Sequence, residues 1–148
     1  RILSAMNRPV GFTINFHRFA KHRTKNGWAK ESLSLPAIEK FWDYFSGELR
    51  HISYFSYQRK MVRDSVLAFA NIDIGLVEGL YHLHGVIDNA RSVHDATFSW
   101  IIKQAIRNAH SETHIVSGDP HIETKLIDKG WVNYCFKRND LCYPLYAK

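Results

Sequence analysis

Between Gly79 and Asp88 the chain reads Gly-Leu-Tyr-His-Leu-His-Gly-Val-Ile-Asp, and no other stretch constrains the fold as tightly. As a β-strand it sends alternate side chains to opposite faces, so His82 and His84 stand side by side while Leu83 points into a core behind them. Two imidazoles at that spacing can hold one divalent cation, with an acidic side chain from a neighbouring strand completing the protein's share of the ligands. Taken alone, the same pattern also suits the polar face of a half-exposed strand, so the rest of the chain has to decide.

The 148 residues, 45% of them apolar and 14% aromatic, give room for a sizeable core, and residues 1–148 read as a single domain. No apolar run reaches the roughly eighteen residues a bilayer span needs, and the N-terminus lacks the pattern of a signal peptide, so an intracellular protein is expected. The chain starts at Arg1, as expected of a domain trimmed from a longer protein. Its two cysteines, Cys135 and Cys142, have no zinc-site spacing, and Cys135 on a helix is most simply a small buried hydrophobe. The formal charge of +6 favours a polyanionic partner, since cations that neutralise phosphates release counterions.

Val10, Phe12, Ile14 and Phe16 alternate with small or polar residues, the period of a strand with one buried face. His17 to Ser34 is polar and basic around Asn26-Gly27 and reads as an exposed loop whose Lys21, Arg23 and Lys25 could contact DNA. Pro36 then opens a helix on which Ile38, Phe41, Trp42, Phe45 and Leu49 form one apolar stripe. Residues 50–64 interleave aromatics with basic residues, among them Arg59 and Lys60, and fit neither template clearly. Val66 to Asp73 is β-prone and, with the His82–His84 strand, makes an antiparallel hairpin. Asp95 reads as the N-cap of a second helix with Phe98, Ile101, Ile102, Ala105 and Ala109 on one face and Lys103 and Arg107 on the other. Two short runs, Thr113 to Val116 and Ile122 to Ile127, are split by the turn Ser117-Gly118-Asp119-Pro120, and Asp128 can cap a final helix through Arg138. The order is that of an α+β sandwich, a mostly antiparallel central sheet with helices packed on one face.

Tyr134 and Lys137, three residues apart on that last helix, share a face and can address one point in space. Beside a bound cation and an ammonium group, a tyrosine phenolate is more accessible than its free pKa of about 10 allows. A cation at His82 and His84 would polarise a phosphate, Tyr134 would attack phosphorus, and Lys137 would stabilise the charge that develops. Each residue has a plainer alternative, a tyrosine packed on the sheet and a solvated lysine.

His82-Leu-His84 followed by Tyr134-x-x-Lys137, with Phe12-Thr-Ile-Asn15 upstream, resembles the three motifs of the HUH endonucleases that initiate rolling-circle replication, and most of all the single-tyrosine Rep proteins of small circular replicons. The likeness spans about Val10 to Arg138. It implies a central antiparallel (RRM-like) sheet, Mg²⁺ or Mn²⁺ as cofactor, nicking of single-stranded DNA at an origin through a 5′-phosphotyrosine intermediate, and later rejoining. It assigns His82 and His84 as metal ligands, Tyr134 as nucleophile and Lys137 as auxiliary lysine.

The third ligand departs from the family, which often has a glutamate seven or eight residues before the first histidine, a place held here by Ile74 or Gly75. Asp73 is the choice if the hairpin loop is longer by one residue, and Glu78 the other candidate. Small single-tyrosine HUH transposases share the size and the tyrosine, and a non-catalytic single-stranded nucleic-acid-binding module is the alternative from another class. The absence of a G-x-x-x-x-G-K-[ST] pattern leaves a helicase to a longer chain or a separate protein. Backbone contacts to DNA are assigned to Lys21, Arg23, Lys25, Arg59, Lys60 and Arg138.

Overall fold

The computed structural model describes residues 6, 8–53, 68–74, 80–89, 93–118, 120–123, 130–131 and 143–146. Strand β1 (Pro9–Thr24) carries the alternation that begins at Val10, and it runs well beyond Phe16. It turns at Lys25-Asn26 into β2 (Gly27–Ser32), with Gly27 at φ 112°, a backbone conformation that glycine adopts without penalty. The region expected to be a loop is therefore a two-stranded ribbon. Its hydrogen-bonded ladder needs no apolar face, so the polar composition hid it.

Helix α1 (Leu35–Ser53) follows, entered through Ser34, whose hydroxyl accepts from the Ala37 N–H at 3.3 Å. The expected stripe is buried: Ile38, Phe41, Trp42, Phe45 and Leu49 all pack in the core. Strands β3 (Ala68–Ile74) and β4 (Tyr81–Asp88) form the expected hairpin, closed at Ile74 and Tyr81. Helix α2 (Asp95–Thr113) is capped by His94, not Asp95, because His94 Nδ1 accepts from the Ala96 N–H at 3.2 Å. Asp95 sits in the first turn, where a negative charge suits the helix dipole, and pairs with Arg8 at 3.0 Å.

Thr113, expected to open a strand, ends α2 with its hydroxyl on the Ala109 carbonyl. Strands β5 (Ile115–Ser117), β6 (His121–Glu123) and β7 (Tyr143–Tyr146) complete the described elements. His110 on α2 holds β5 in place, since its Nε2 accepts the Ser117 N–H at 3.2 Å, and burial lowers its pKa from the ordinary histidine value. The sheet order is β2-β1-β4-β3-β7, with β5 and β6 also on β1, and every described pairing is antiparallel. The architecture is α+β, as the sequence implies.

One sheet face and the two helices enclose the core. Phe12, Ile14 and Phe16 from β1, Leu83 and Ile87 from β4, and Ala70 and Ile72 from β3 meet the apolar stripes of α1 and α2 there. Phe12 stacks on Trp42 with ring planes 4° apart, and Phe16 meets Phe41 edge-on at 5.0 Å. Alternation turns the other residues of the same strands, Thr13, Asn15, Asn71, Asp73, His82 and His84, to the face away from the helices. Among the described residues no helix is long and apolar enough to cross a membrane.

Candidate metal centre

Register brings the polar residues of three adjacent strands into two rows. Asn15 of β1 and Asp73 of β3 flank His82 of β4 as its two cross-strand partners, and one step along the strands Thr13 and Asn71 flank His84 in the second row. A slip of one residue in either pairing would move a whole strand's set to the core face, so the buried Leu83 and Ile72 lock this arrangement.

Asp73, His82 and His84 each offer a ligand atom, and these atoms lie within 4.8 Å of one another. His84 Nε2 and Asp73 Oδ2 are 3.9 Å apart, and both residues are buried at 6% exposure. Ligand atoms held about 2.1 Å from an ion sit about 3–4 Å from each other, so small side-chain rotations close the set around a cation. Two imidazoles and one carboxylate are a donor set suited to a divalent metal, and these three residues can hold one. Asp73 Oδ1 accepts the Ile74 N–H at 2.8 Å, which fixes the carboxylate with Oδ2 toward His84. The two imidazole centroids are 5.4 Å apart, as alternate positions on a strand require.

Thr13 orients His84. Its Oγ1 lies 3.1 Å from His84 Nδ1, so with the ring proton on Nδ1 that N–H donates to the hydroxyl, and Nε2 keeps its lone pair facing Asp73. The Phe12-Thr-Ile-Asn15 stretch thus serves the site from the neighbouring strand. Thr13→Val keeps the shape and removes the hydroxyl, and is expected to weaken Mn²⁺ affinity about tenfold, with Thr13→Ser restoring it, as titration calorimetry would measure.

Of the sequence-derived site residues, the structure thus joins His82, His84 and Asp73. Lys21 and Arg23 lie on β1 beyond Phe16, and Lys25 is exposed in the turn. Tyr134, Lys137, Arg138, Arg59, Lys60 and Glu78 lie outside the described residues, as do the final helix beyond Trp131 and both cysteines. Thr13 and Asn71 were not read as site residues. The available signal was the spacing of two that sets Thr13 with Asn15, and Asn71 with Asp73, on one face.

The turn Gly130–Trp131 is helical, and Trp131 Nε1 donates to the Gly85 carbonyl at 3.0 Å. Gly85 directly follows His84, so Trp131 is tied to the strand that carries both histidines. Comparison with protein families, with curated proteins and with solved structures finds no match to this chain.

Proposed function

We propose that the chain is a metal-dependent, tyrosine-nucleophile endonuclease of single-stranded DNA, the nicking and joining domain of a rolling-circle replication initiator. The observation that carries this reading is the convergence of Asp73, His82 and His84 on one sheet face. It gains from the bond of Trp131 Nε1 to the Gly85 carbonyl, which ties Trp131 to the strand that carries both histidines.

Asp73, His82 and His84 would hold Mn²⁺ or Mg²⁺, and the nitrogen-rich set favours Mn²⁺, since Mg²⁺ prefers oxygen ligands. Bound there, the ion supplies Lewis-acid polarisation of a phosphate. In the proposed step the Tyr134 oxygen, its proton lost to solvent, attacks phosphorus and forms the phosphotyrosine bond. The bond to the 3′ oxygen breaks, that oxygen takes up a proton, and the 5′ phosphate stays on the protein. Lys137 offsets the charge gathering on the phosphate oxygens. Because the phosphotyrosine is an ester of similar energy to the bond it replaces, attack by a 3′ hydroxyl reverses the step and rejoins a strand.

Incubation with a randomised single-stranded DNA pool and Mn²⁺, resolved on a denaturing gel, tests this. A protein band carrying DNA, absent in EDTA, supports the nuclease. DNA binding and Mn²⁺ binding without any adduct, even with pools enriched for bound sequences, would refute it.

A further inference from the structure

The polar face of the sheet continues past β1. Strand β6 lies along the side of β1 away from β4, and its register sets His121 directly across from Thr13. Thr13 is in turn across from His84, so His121, Thr13, His84 and Asn71 make one row over four strands, with the register unbroken throughout. The next residue, Ile122, pairs with the buried Phe12 and packs against the core, which turns His121 to the face of the metal centre.

Asn15 stands beside His82, and with Ile14 fully buried its side chain shares that face. His121 and Asn15 are therefore diagonal cross-strand neighbours, about 7–8 Å apart, a gap that aromatic and long side chains can close. Both side chains are exposed, and among the described residues neither is engaged by a hydrogen bond or an ion pair.

The chemistry of the pair selects its ligand. A carboxamide offers donors and an acceptor, and a neutral imidazole offers one of each. A phosphate oxygen only accepts, so it would leave both acceptors idle, and among the described residues of the two rows no lysine or arginine supplies charge. A nucleobase edge sets donors beside acceptors and its face stacks on an imidazole, so it matches both residues.

We propose that Asn15 and His121 form a nucleobase subsite on the flank of the Asp73–His82–His84 cluster, reading one base close to the phosphate placed there. That the base belongs to single-stranded DNA rests on the function proposed above. The subsite goes further by naming residues that choose the sequence cut.

The test is selection from a randomised single-stranded DNA pool in EDTA, followed by sequencing, with wild type, His121→Ala, Asn15→Ala and the double variant. Wild type is expected to enrich a sequence in which one position loses its preference in each single variant, by between about 5- and 150-fold, while the other positions keep theirs. The double variant should relax that same position and no other. Calorimetric Mn²⁺ affinity should stay near wild type in His121→Ala, since His121 lies two strands over from His84.

Unchanged preferences in both single variants would overturn the subsite and leave Asn15 and His121 as ordinary surface residues. A uniform loss of affinity with every preference intact would replace the base with a phosphate. Relaxation of different positions by the two variants would dissolve the shared pocket, and lost Mn²⁺ affinity in His121→Ala would make its role structural. Selection in EDTA involves no cleavage, so relaxed specificity without a covalent adduct in Mn²⁺ would sink the nuclease and leave the subsite standing. An adduct with unchanged specificity would do the reverse.

Discussion

Tyr134→Phe is expected to abolish the covalent protein–DNA adduct, lowering its rate of formation on the order of 10⁴-fold or more, while Mn²⁺ affinity and single-stranded DNA binding stay within about twofold of wild type. Phenylalanine keeps the ring and removes only the oxygen that bonds to phosphorus, so packing is preserved and the nucleophile is gone. Any remaining cleavage would come from water and would leave free ends with no DNA on the protein. The comparison is made on the gel with the DNA strand labelled, alongside calorimetric Mn²⁺ titration of both proteins. An adduct of undiminished yield in Tyr134→Phe would move the nucleophile to another residue and remove the main support for the proposed mechanism. A reduced adduct accompanied by lost metal binding would instead mean that Tyr134 holds the site together, and the phosphotyrosine step would fall with it.

The sequence exposed those parts of the fold in which burial writes a period into the residues. Val10 to Phe16, the α1 stripe from Ile38 to Leu49 and the α2 face from Phe98 to Ala109 are each half buried, so apolar residues recur every second or every third to fourth position. The three residues that could hold a metal were legible for the same reason: once Leu83 is inward, His82 and His84 must be outward, and the pairing of Asp73 with His82 needs only a hairpin closed at Ile74 and Tyr81.

Elements without an alternating apolar pattern left no such trace. The ribbon beyond Phe16 carries His17, Arg18, Lys21, His22 and Arg23 on β1 and Lys30 on β2, and nothing in their order states that Lys21 pairs with Lys30 in the register. Strand β7 contains Pro144, which argues against a strand, yet β7 lies at the end of the sheet order beside β3, where a missing N–H can face outward. The cap of α2 was misplaced by one residue because His94 is a weaker cap signal than Asp95, although its ring nitrogen performs the same bond.

Gly85→Ala is expected to destabilise the protein by about 3 kcal/mol or more, lowering the melting temperature by roughly 6–12 °C. Gly85 sits between Phe12 of β1 and Ala70 of β3 on the core face, and a methyl group there would fall 2.7 Å from Ala70 Cα, 2.9 Å from Ala70 Cβ and against the Phe69 carbonyl. Backbone cannot rotate away as a side chain can, so β3 and β4 must part. Gly47→Ala supplies the contrast, since Gly47 lies exposed in α1 with nothing within 4 Å of the added methyl, and alanine there should stabilise by about 0.5–1 kcal/mol. Opposite signs for two identical chemical changes would establish that the first effect is steric. The same parting of strands would carry Asp73 away from His82 and His84, because Asp73 and His84 lie on the two strands that Gly85 allows to approach. In the folded fraction at low temperature, Gly85→Ala should therefore also bind Mn²⁺ more weakly than wild type, and Gly47→Ala should bind it equally well. Unchanged stability and metal affinity in Gly85→Ala would mean that the β3–β4 spacing, and with it the three-ligand cluster, differs from the one described.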